Sequence, residues 1–343
     1  MRSRETNVMA VDLFSGAGGA TEGLRRAGFN TVAAVENDRD AAHTYSLNHP
    51  NAEMFEQDIR ELNASQVRDR IGIKRGQLTL LKACPPCQGF STLGNEDSAD
   101  PRNDLILEVW KFLSEFFPKA FVLENVPGIK NDARLNRLIR QSRAVGYCVK
   151  SFEVDAADMG VPQRRRRLVV VGVRESKSVS RLKELVEICP KYRQVSSGSV
   201  LERVSRFSSE NDPLNRSRSS THKTLERIKA IPVGGNRFDL PHDLELACHS
   251  KMKTRNATGA YGRILSSGPS PTMTTRCTTP SCGSFIHPTE DRGLTLREAA
   301  ALQTFPMNYK FVGSYGSIEK QIGNAVPVKM AMELGKAVRS LVL

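Results

Sequence analysis

VMAVDLFSGAGGATEGLRRAG, residues 8–28, decides the fold. The run through Phe14 is short, apolar and rich in β-branched and small residues, the pattern of a buried strand. Three glycines follow within four positions, Gly16, Gly18 and Gly19, and then a helical pattern, GATEGLRRAG, that stops at Gly28. A residue without a Cβ lets the chain bend sharply and approach a ligand, and the helix start beyond it favours polar or anionic groups. Taken alone, such a loop is as readily a structural turn as a binding loop.

The neighbouring segments repeat the theme. TVAAVE (31–36), LTLLKA (78–83), KAFVLEN (119–125) and RLVVVGV (167–173) read as strands. DRDAAHTYSLNH reads as a helix capped by Asn37 or Asp38, and NDLILEVWKFLSEFF as a helix apolar on most sides and therefore largely buried. This alternation predicts an α/β fold: a doubly wound, mostly parallel sheet with helices on both faces. Beyond Arg174 the chain is rich in Ser, Arg, Asn and Gly, with a turn at Pro232-Val233-Gly234-Gly235, and reads as a smaller, irregular domain. Regular patterns return at 294–305 and in a closing helix at 326–342. The expected organisation is a larger α/β domain over 1–174, a small domain over 175–306 and a C-terminal segment over 307–343.

Charge narrows the class. The net charge is +13, and residues 174–263 hold 18 Lys and Arg against 10 Asp and Glu, just after the run Arg164–Arg167. Such an excess suits a phosphate-binding face as well as a plain basic surface. No apolar stretch reaches the ~20 residues of a membrane span and no signal-peptide core is present, so a cytosolic protein is expected. The seven cysteines, at 84, 87, 148, 189, 248, 277 and 282, are odd in number and argue for free thiols.

Two acidic residues give the Gly-rich loop a ligand class. Glu36 ends the second strand, where a carboxylate can accept both hydroxyls of a ribose. Asp58, in EQDIR, is expected to end the third, within reach of an adenine amino group. An adenosine across the carboxyl ends of strands 1 to 3 is what an open α/β sheet is shaped to bind; the plain alternative is a pair of solvated strand ends.

CPPCQGFS, residues 84–91, allows three chemistries. A redox pair would suit an exposed helix start but leaves the glycine loop and basic half without a role. A zinc site would have to borrow Cys277, Cys282 and His287, which lack a second Cys-x-x-Cys, so no metal is expected. In the third, Cys87 is a covalent catalyst. Pro85 and Pro86 stiffen its approach, and the next strand ends in Glu124-Asn125-Val126-Pro127, bringing a carboxylate to the same sheet edge.

DLFSGAGG (12–19), PPCQGFS (85–91), ENVPG (124–128), QRRRR (163–167), LTLREAAALQTFP (294–306) and QIGNAVP (321–327) occur in this order, and they resemble the conserved blocks of the cytosine-C5 DNA methyltransferases. The resemblance runs from about residue 8 to 340 and misses only the basic middle. It implies a Rossmann-like fold that uses S-adenosylmethionine, a thiolate of Cys87 that adds to C6 of a flipped-out cytosine, and Glu124 holding or protonating ring N3. Arg165 and Arg167, two apart on a strand and so on one face, are similar to the arginines that hold the base. For the cofactor, the resemblance implies Phe14 on the adenine, Gly16, Gly18 and Gly19 along the methionine, and Glu36, Asn37 and Asp58 on the nucleoside. Ile59, Pro86 and Leu105 become pocket walls, and Asn324 and Val326 return from the C-terminal block. The segments TLERIKAIPVGGNRFDLP and YGRILSSGPSPTMTTR resemble the target-recognition region of bacterial members, which implies specific duplex DNA as substrate, a restriction–modification or orphan setting with or without a separate endonuclease, and a cytoplasmic monomer at the nucleoid. A tRNA-directed member and an inactive DNA-binding regulator of the same fold are the alternatives. The chain departs from the family at Lys82-Ala83, where Gly-Gly is usual, so side chains there are expected to crowd the pocket; Cys84 is expected to be a small buried hydrophobe.

Overall fold

The computed structural model describes residues 8–86, 100–174, 192–209, 211–247 and 258–343. It divides into two compact units, one of Met1–Asp155, Arg166–Lys191 and Val326–Leu343 and one of Ala156–Arg165 and Tyr192–Ala325. The second unit thus takes in 156–165 and 307–325, stretches that the sequence reading assigns to the larger domain and to the C-terminal segment.

In the first unit, seven strands form one sheet: β1 (Met9–Leu13), β2 (Asn30–Glu36), β3 (Glu53–Glu56), β4 (Leu80–Ala83), β5 (Ala120–Asn125), β6 (Cys148–Asp155) and β7 (Arg166–Val173). Their order is β3-β2-β1-β4-β5-β7-β6. The first five are parallel, while β7 runs antiparallel to both β5 and β6. The order reverses between β1 and β4, the crevice where sheets of this class bind ligands. β6 is absent from the sequence reading because its alternation is weak, with half-exposed residues at an edge.

Helices α1 (Gly19–Arg26), α2 (Arg39–Asn48), α3 (Ala64–Arg70), α4 (Leu105–Phe116) and α5 (Ala133–Ala144) complete the crossovers. Asp38, Asn63 and Asp132 cap α2, α3 and α5 by accepting from backbone N–H groups of the first turn. One face of the sheet is apolar, with Val11, Leu13, Leu81, Ala83, Phe121, Leu123, Leu168 and Val170 buried against Phe112, Leu113, Phe116, Leu135 and Leu138 of α4 and α5. The alternate residues of the same strands form the opposite face. Helix α10 (Val328–Val342) packs on α1, and the approach is close because Gly23 and Gly335 lack side chains: a Cβ on Gly23 would meet the Val328 carbonyl and lie 2.6 Å from Ala331 Cβ. Leu24 of α1 and Ala27, which caps its C-terminus, are buried there with Leu334 and Val338 of α10.

The second unit contains α6 (Ser197–Phe207), α7 (His222–Ala230), α8 (Leu296–Leu302) and α9 (Tyr315–Asn324), joined by long irregular segments. Its regularity comes from buried polar hubs as well as from a small apolar cluster of Ile228, Ile231, Leu240, Tyr261 and Ile286. Arg263, 7 % exposed, donates to the carbonyls of Ile228, Ile231, His287 and Glu290 and to Asp291. Glu319 accepts from the backbone and hydroxyl of Thr278, the hydroxyl of Thr279 and the guanidinium of Arg218.

Candidate active site

The Gly-rich loop leaves β1 as read from the sequence. Phe14 is left-handed (φ 55°), a conformation that disfavours a side chain, and Gly16 and Gly18 are left-handed as well (φ 54° and 88°). A Cβ on Gly16 would meet no atom within 4 Å, so the space beside the loop there is open. Gly18 caps α1 and Gly19 is its first residue. Glu36, the last residue of β2, reaches over this loop: its carboxylate accepts from Gly16 N (2.8 Å), Asn37 N (3.0 Å) and Asp38 N (2.8 Å). Burial raises the Glu36 carboxyl above its ordinary value, against the pull of these three donors. Oε1 accepts two of these donors, while Oε2 accepts one and keeps a lone pair for an incoming hydroxyl.

Asp58 requires a correction. β3 stops at Glu56, and Asp58 lies two residues past it at the head of a turn, its carboxylate engaged by Arg60 Nε (3.0 Å), Nη2 (2.6 Å) and backbone N (2.9 Å). Ile59 is buried in the core and Leu105 packs against it as the first residue of α4. Asn37 is exposed, Pro86 is half-buried and Val326 is buried in the first unit. Asn324 ends α9 in the second unit and is exposed.

At the other side of the switch point the carboxyl ends of β4 and β5 carry a polar cluster. Glu124 is 4 % exposed, and its Oε1 lies 2.9 Å from Nε of Arg167 on β7. Its Oε2 accepts the thiol of Cys84 at 2.8 Å. Cys84 is therefore not the small hydrophobe expected from sequence. Burial and the adjacent carboxylate push its thiol well above the ordinary cysteine range, outweighing Lys82 and Arg167, so it stays protonated and donates. The next residue of β5, Asn125, donates through Nδ2 to the carbonyl of Pro85 (3.1 Å), tying the start of the PPCQ segment to the strand that carries Glu124. Cys87 itself lies outside the described residues.

Lys82 also departs from expectation. It turns beneath the sheet end onto Asp12 of β1 (2.9 Å), with 7 % of the lysine side chain and none of the aspartate exposed. Burial would lower the ammonium's pKa, but Asp12, Cys84 and Glu124 together hold it above the usual lysine value. The other oxygen of Asp12 accepts from Thr21 of α1 (2.8 Å), whose hydroxyl meets Tyr45 of α2 (3.1 Å). Lys82 and Glu124 line one small cavity of about 20 Å³ with Ala20, Leu24, Leu80 and Val122. None of Asp12, Thr21 and Tyr45 is singled out by the sequence reading; the signal for them is a charged residue in the middle of a strand otherwise fit for burial.

Arg165 and Arg167 do not share a strand face. β7 begins at Arg166, and Arg165 precedes it in the second unit, its carbonyl bonded to Ala156 N and its guanidinium to the carbonyls of Met273 (3.0 Å) and Gly323 (3.5 Å). Its neighbour Gln163 joins Gln303 (3.0 Å) and Met273 N (2.9 Å), and Gln303 donates to Ile322 O (2.7 Å). Three sequence blocks, QRRRR, LTLREAAALQTFP and QIGNAVP, thus meet in one buried hub. Gly323 is required there because a Cβ would strike the Thr274 backbone.

Comparison with known proteins agrees with this geometry. The family model for the C-5 cytosine-specific DNA methylases matches residues 8–340. The chain is 32 % identical to the Type II methylase M.HgiDII of Herpetosiphon aurantiacus, over 96 % of this chain and 94 % of that protein. It is 34 % identical to the Type II methyltransferase M.PspPI of Psychrobacter sp. strain TA137, covering 96 % and 78 %. Among solved structures, a prophage-encoded E. coli protein assigned as a DNA modification methyltransferase superposes with TM-score 0.69 at 26 % identity, covering 97 % of this chain and 99 % of the other. Spodoptera frugiperda DNMT2, at 19 % identity and TM-score 0.65, shares the fold, covering 96 % and 99 %.

Proposed function

The chain belongs to the C-5 cytosine-specific DNA methylase family and is a DNA cytosine-5 methyltransferase, and on that premise we propose a division of labour among its residues. The methyl donor is S-adenosylmethionine, which supplies an electrophilic methyl when bound. Glu36 accepts its ribose hydroxyls, the open space at Gly16 takes its amino-acid end, and Phe14, Gly18, Gly19, Asn37, Ile59, Pro86, Leu105 and Val326 border it. The unfilled acceptor capacity of Glu36 and the side-chain-free backbone at Gly16 fit such a ligand. Asp58 takes the adenine amino group on the lone pairs that Arg60 leaves.

Cytosine C5 is a poor nucleophile because its ring is electron-poor. The Cys87 thiolate forms a bond to C6 of a cytosine swung out of the duplex, and electron density moves to C5 as Glu124 holds a proton at N3. Once C5 carries the methyl group, loss of the C5 proton lets the sulfur leave. Arg167 fixes Glu124, and Arg165 braces the hub that supports the recognition unit. The observation that carries this reading is Glu124, buried and clamped by Arg167, with Asn125 beside it holding Pro85, two residues ahead of Cys87. Exposed basic residues of the second unit, among them Arg203, Arg206, Arg216 and Lys223, meet phosphates, and its loops read the bases of a specific sequence. The protein acts as a cytoplasmic monomer, alone or beside a separate endonuclease. No described helix is long and apolar enough to cross a membrane.

The test is covalent trapping on DNA containing 5-fluorocytosine with labelled S-adenosylmethionine. Wild type is expected to form the adduct and Cys87→Ser none; an adduct that survives in Cys87→Ser overturns the assignment. Bisulfite sequencing of DNA from expressing cells then reads the target sequence.

A further inference from the structure

The sheet face that bears Glu124 carries a row of polar side chains, five of which, Tyr45, Thr21, Asp12, Lys82 and Cys84, have no role in methyl transfer as derived above. From one side to the other it runs Tyr45, Thr21, Asp12, Lys82, Cys84, Glu124 and Arg167, on α2, α1, β1, β4, the residue after β4, β5 and β7. Members so far apart in sequence are not gathered by any local turn, and a buried polar group costs free energy unless it is paired.

Cys84 sits at the point where the row meets the reaction. Its Sγ is 2.8 Å from Oε2 of Glu124, while Arg167 Nε is 2.9 Å from Oε1. The terminal torsion of a glutamate is broad and two-fold, so one donor on one oxygen leaves the plane of the carboxylate free to turn. A hydrogen bond on one oxygen and an ion pair on the other remove that freedom, and Oε1, which accepts no hydrogen bond among the described residues, stays open to the substrate. Lys82 lies two residues earlier on the same strand face, where its ammonium is committed to Asp12. Arg167 meets the other oxygen of Glu124 as an ion pair and not as a hydrogen-bond donor.

We infer that Cys84 is a positioning residue for methyl transfer: its S–H holds the Oε2 edge of Glu124 as Arg167 holds the Oε1 edge, so that the carboxyl group offers the cytosine ring a single orientation. The inference rests on the reading of Glu124 given above. It gives the two sulfurs of Cys84-Pro85-Pro86-Cys87 separate tasks, one donating a hydrogen bond and the other forming a bond to carbon.

The experiment measures kcat and both KM values, for S-adenosylmethionine and DNA, in Cys84→Ser, Cys84→Ala, Glu124→Gln and the Cys84→Ala/Glu124→Gln double variant, alongside thermal unfolding. Loss of a hydrogen bond to a charged group predicts that Cys84→Ala lowers kcat about tenfold with both KM values within about twofold of wild type. Cys84→Ser, which keeps a donor, recovers most of that loss. The double variant is no slower than Glu124→Gln, because Cys84 works only through the carboxylate. Wild-type kcat in Cys84→Ala, equal losses in Ser and Ala, or the same fold-loss from Cys84→Ala in the Glu124→Gln background as in wild type would each overturn the inference. Should Cys84→Ala not fold, Ser is compared with Val, of which only Ser donates. Full activity in Glu124→Gln is a separate outcome, which removes the role of Glu124 itself and that of Cys84 with it.

Discussion

Replacing Lys82 with methionine tests what the buried ion pair contributes. Lys82 Nζ and Asp12 Oδ1 are 2.9 Å apart with almost no solvent access. At an effective dielectric of ~20 their attraction is about 6 kcal/mol, and desolvation of the two ions takes back several kcal/mol of it. The intact pair therefore contributes little net stability, whereas a lone Asp12 keeps its desolvation cost with only Thr21 as donor. Lys82→Met is expected to destabilise the first unit by about 3–5 kcal/mol. The double variant Asp12→Asn/Lys82→Met removes both charges and keeps an acceptor for Thr21; it is expected within about 1–2 kcal/mol of wild type. Trp110, the single tryptophan, packs against the core of this unit, so urea unfolding followed by its fluorescence reads the effect directly. The raised pKa of Lys82 means that the pair's contribution is complete below the ordinary lysine value of about 10.4 and is lost only as pH rises through the folded value. The gap between wild type and Lys82→Met is therefore constant from about pH 7 to 9. A cost below about 1 kcal/mol for Lys82→Met, or a double variant as unstable as the sum of the singles, would refute the reasoning.

Three further expectations follow from other parts of the structure. Gly23→Val drives side-chain atoms into the Val328 carbonyl and Ala331, and a loss of at least ~3 kcal/mol in thermal or urea unfolding is expected; a fully stable variant would mean that α1 and α10 do not meet there. His287 is buried and its Nδ1 accepts from the backbones of Thr289 and Glu290, which requires a neutral ring; burial lowers its pKa. Its share of stability is complete above the ordinary value of about 6.5 and is lost as pH falls toward the depressed folded value, so His287→Gln should flatten the acid limb of melting temperature against pH. Native iodoacetamide labelling read by mass spectrometry should modify exposed Cys282 well before Cys84 and Cys277, whose thiols burial keeps protonated; early loss of Cys84 would contradict its bond to Glu124.

What was legible in the sequence is what local pattern controls. Apolar runs ending in Gly-rich or acidic residues marked β1, β2 and β5, so Glu36 and Glu124 stand at strand ends as read. Where a residue's place depends on distant partners, local pattern misleads. Two-residue spacing puts Arg165 and Arg167 on one face only if both lie in a strand, and bonds from the Arg165 segment to Ala156 and Met273 delay that strand by one residue. Asp58 reads as a strand end, yet Arg60, two residues on, turns the chain and takes its carboxylate. The row from Tyr45 to Arg167 was illegible for the same reason: its members come from six secondary-structure elements and from Cys84 just past β4, and sequence spacing says nothing about them. Lys82 looked like an obstruction because its counter-ion lies 70 positions earlier in the chain.

The seam between α1 and α10 has a consequence for how the protein is made. Gly19–Arg26 leaves the ribosome ahead of its partner Val328–Val342, which follows roughly 300 residues later; at about 5–20 residues per second that is a wait on the order of 15–60 s. Through that interval Leu24 and Ala27 have nothing to cover them, and the nascent β-sheet has one face bare. Closure of the first unit is thus a late event of high contact order, and the growing chain is a natural client for chaperones.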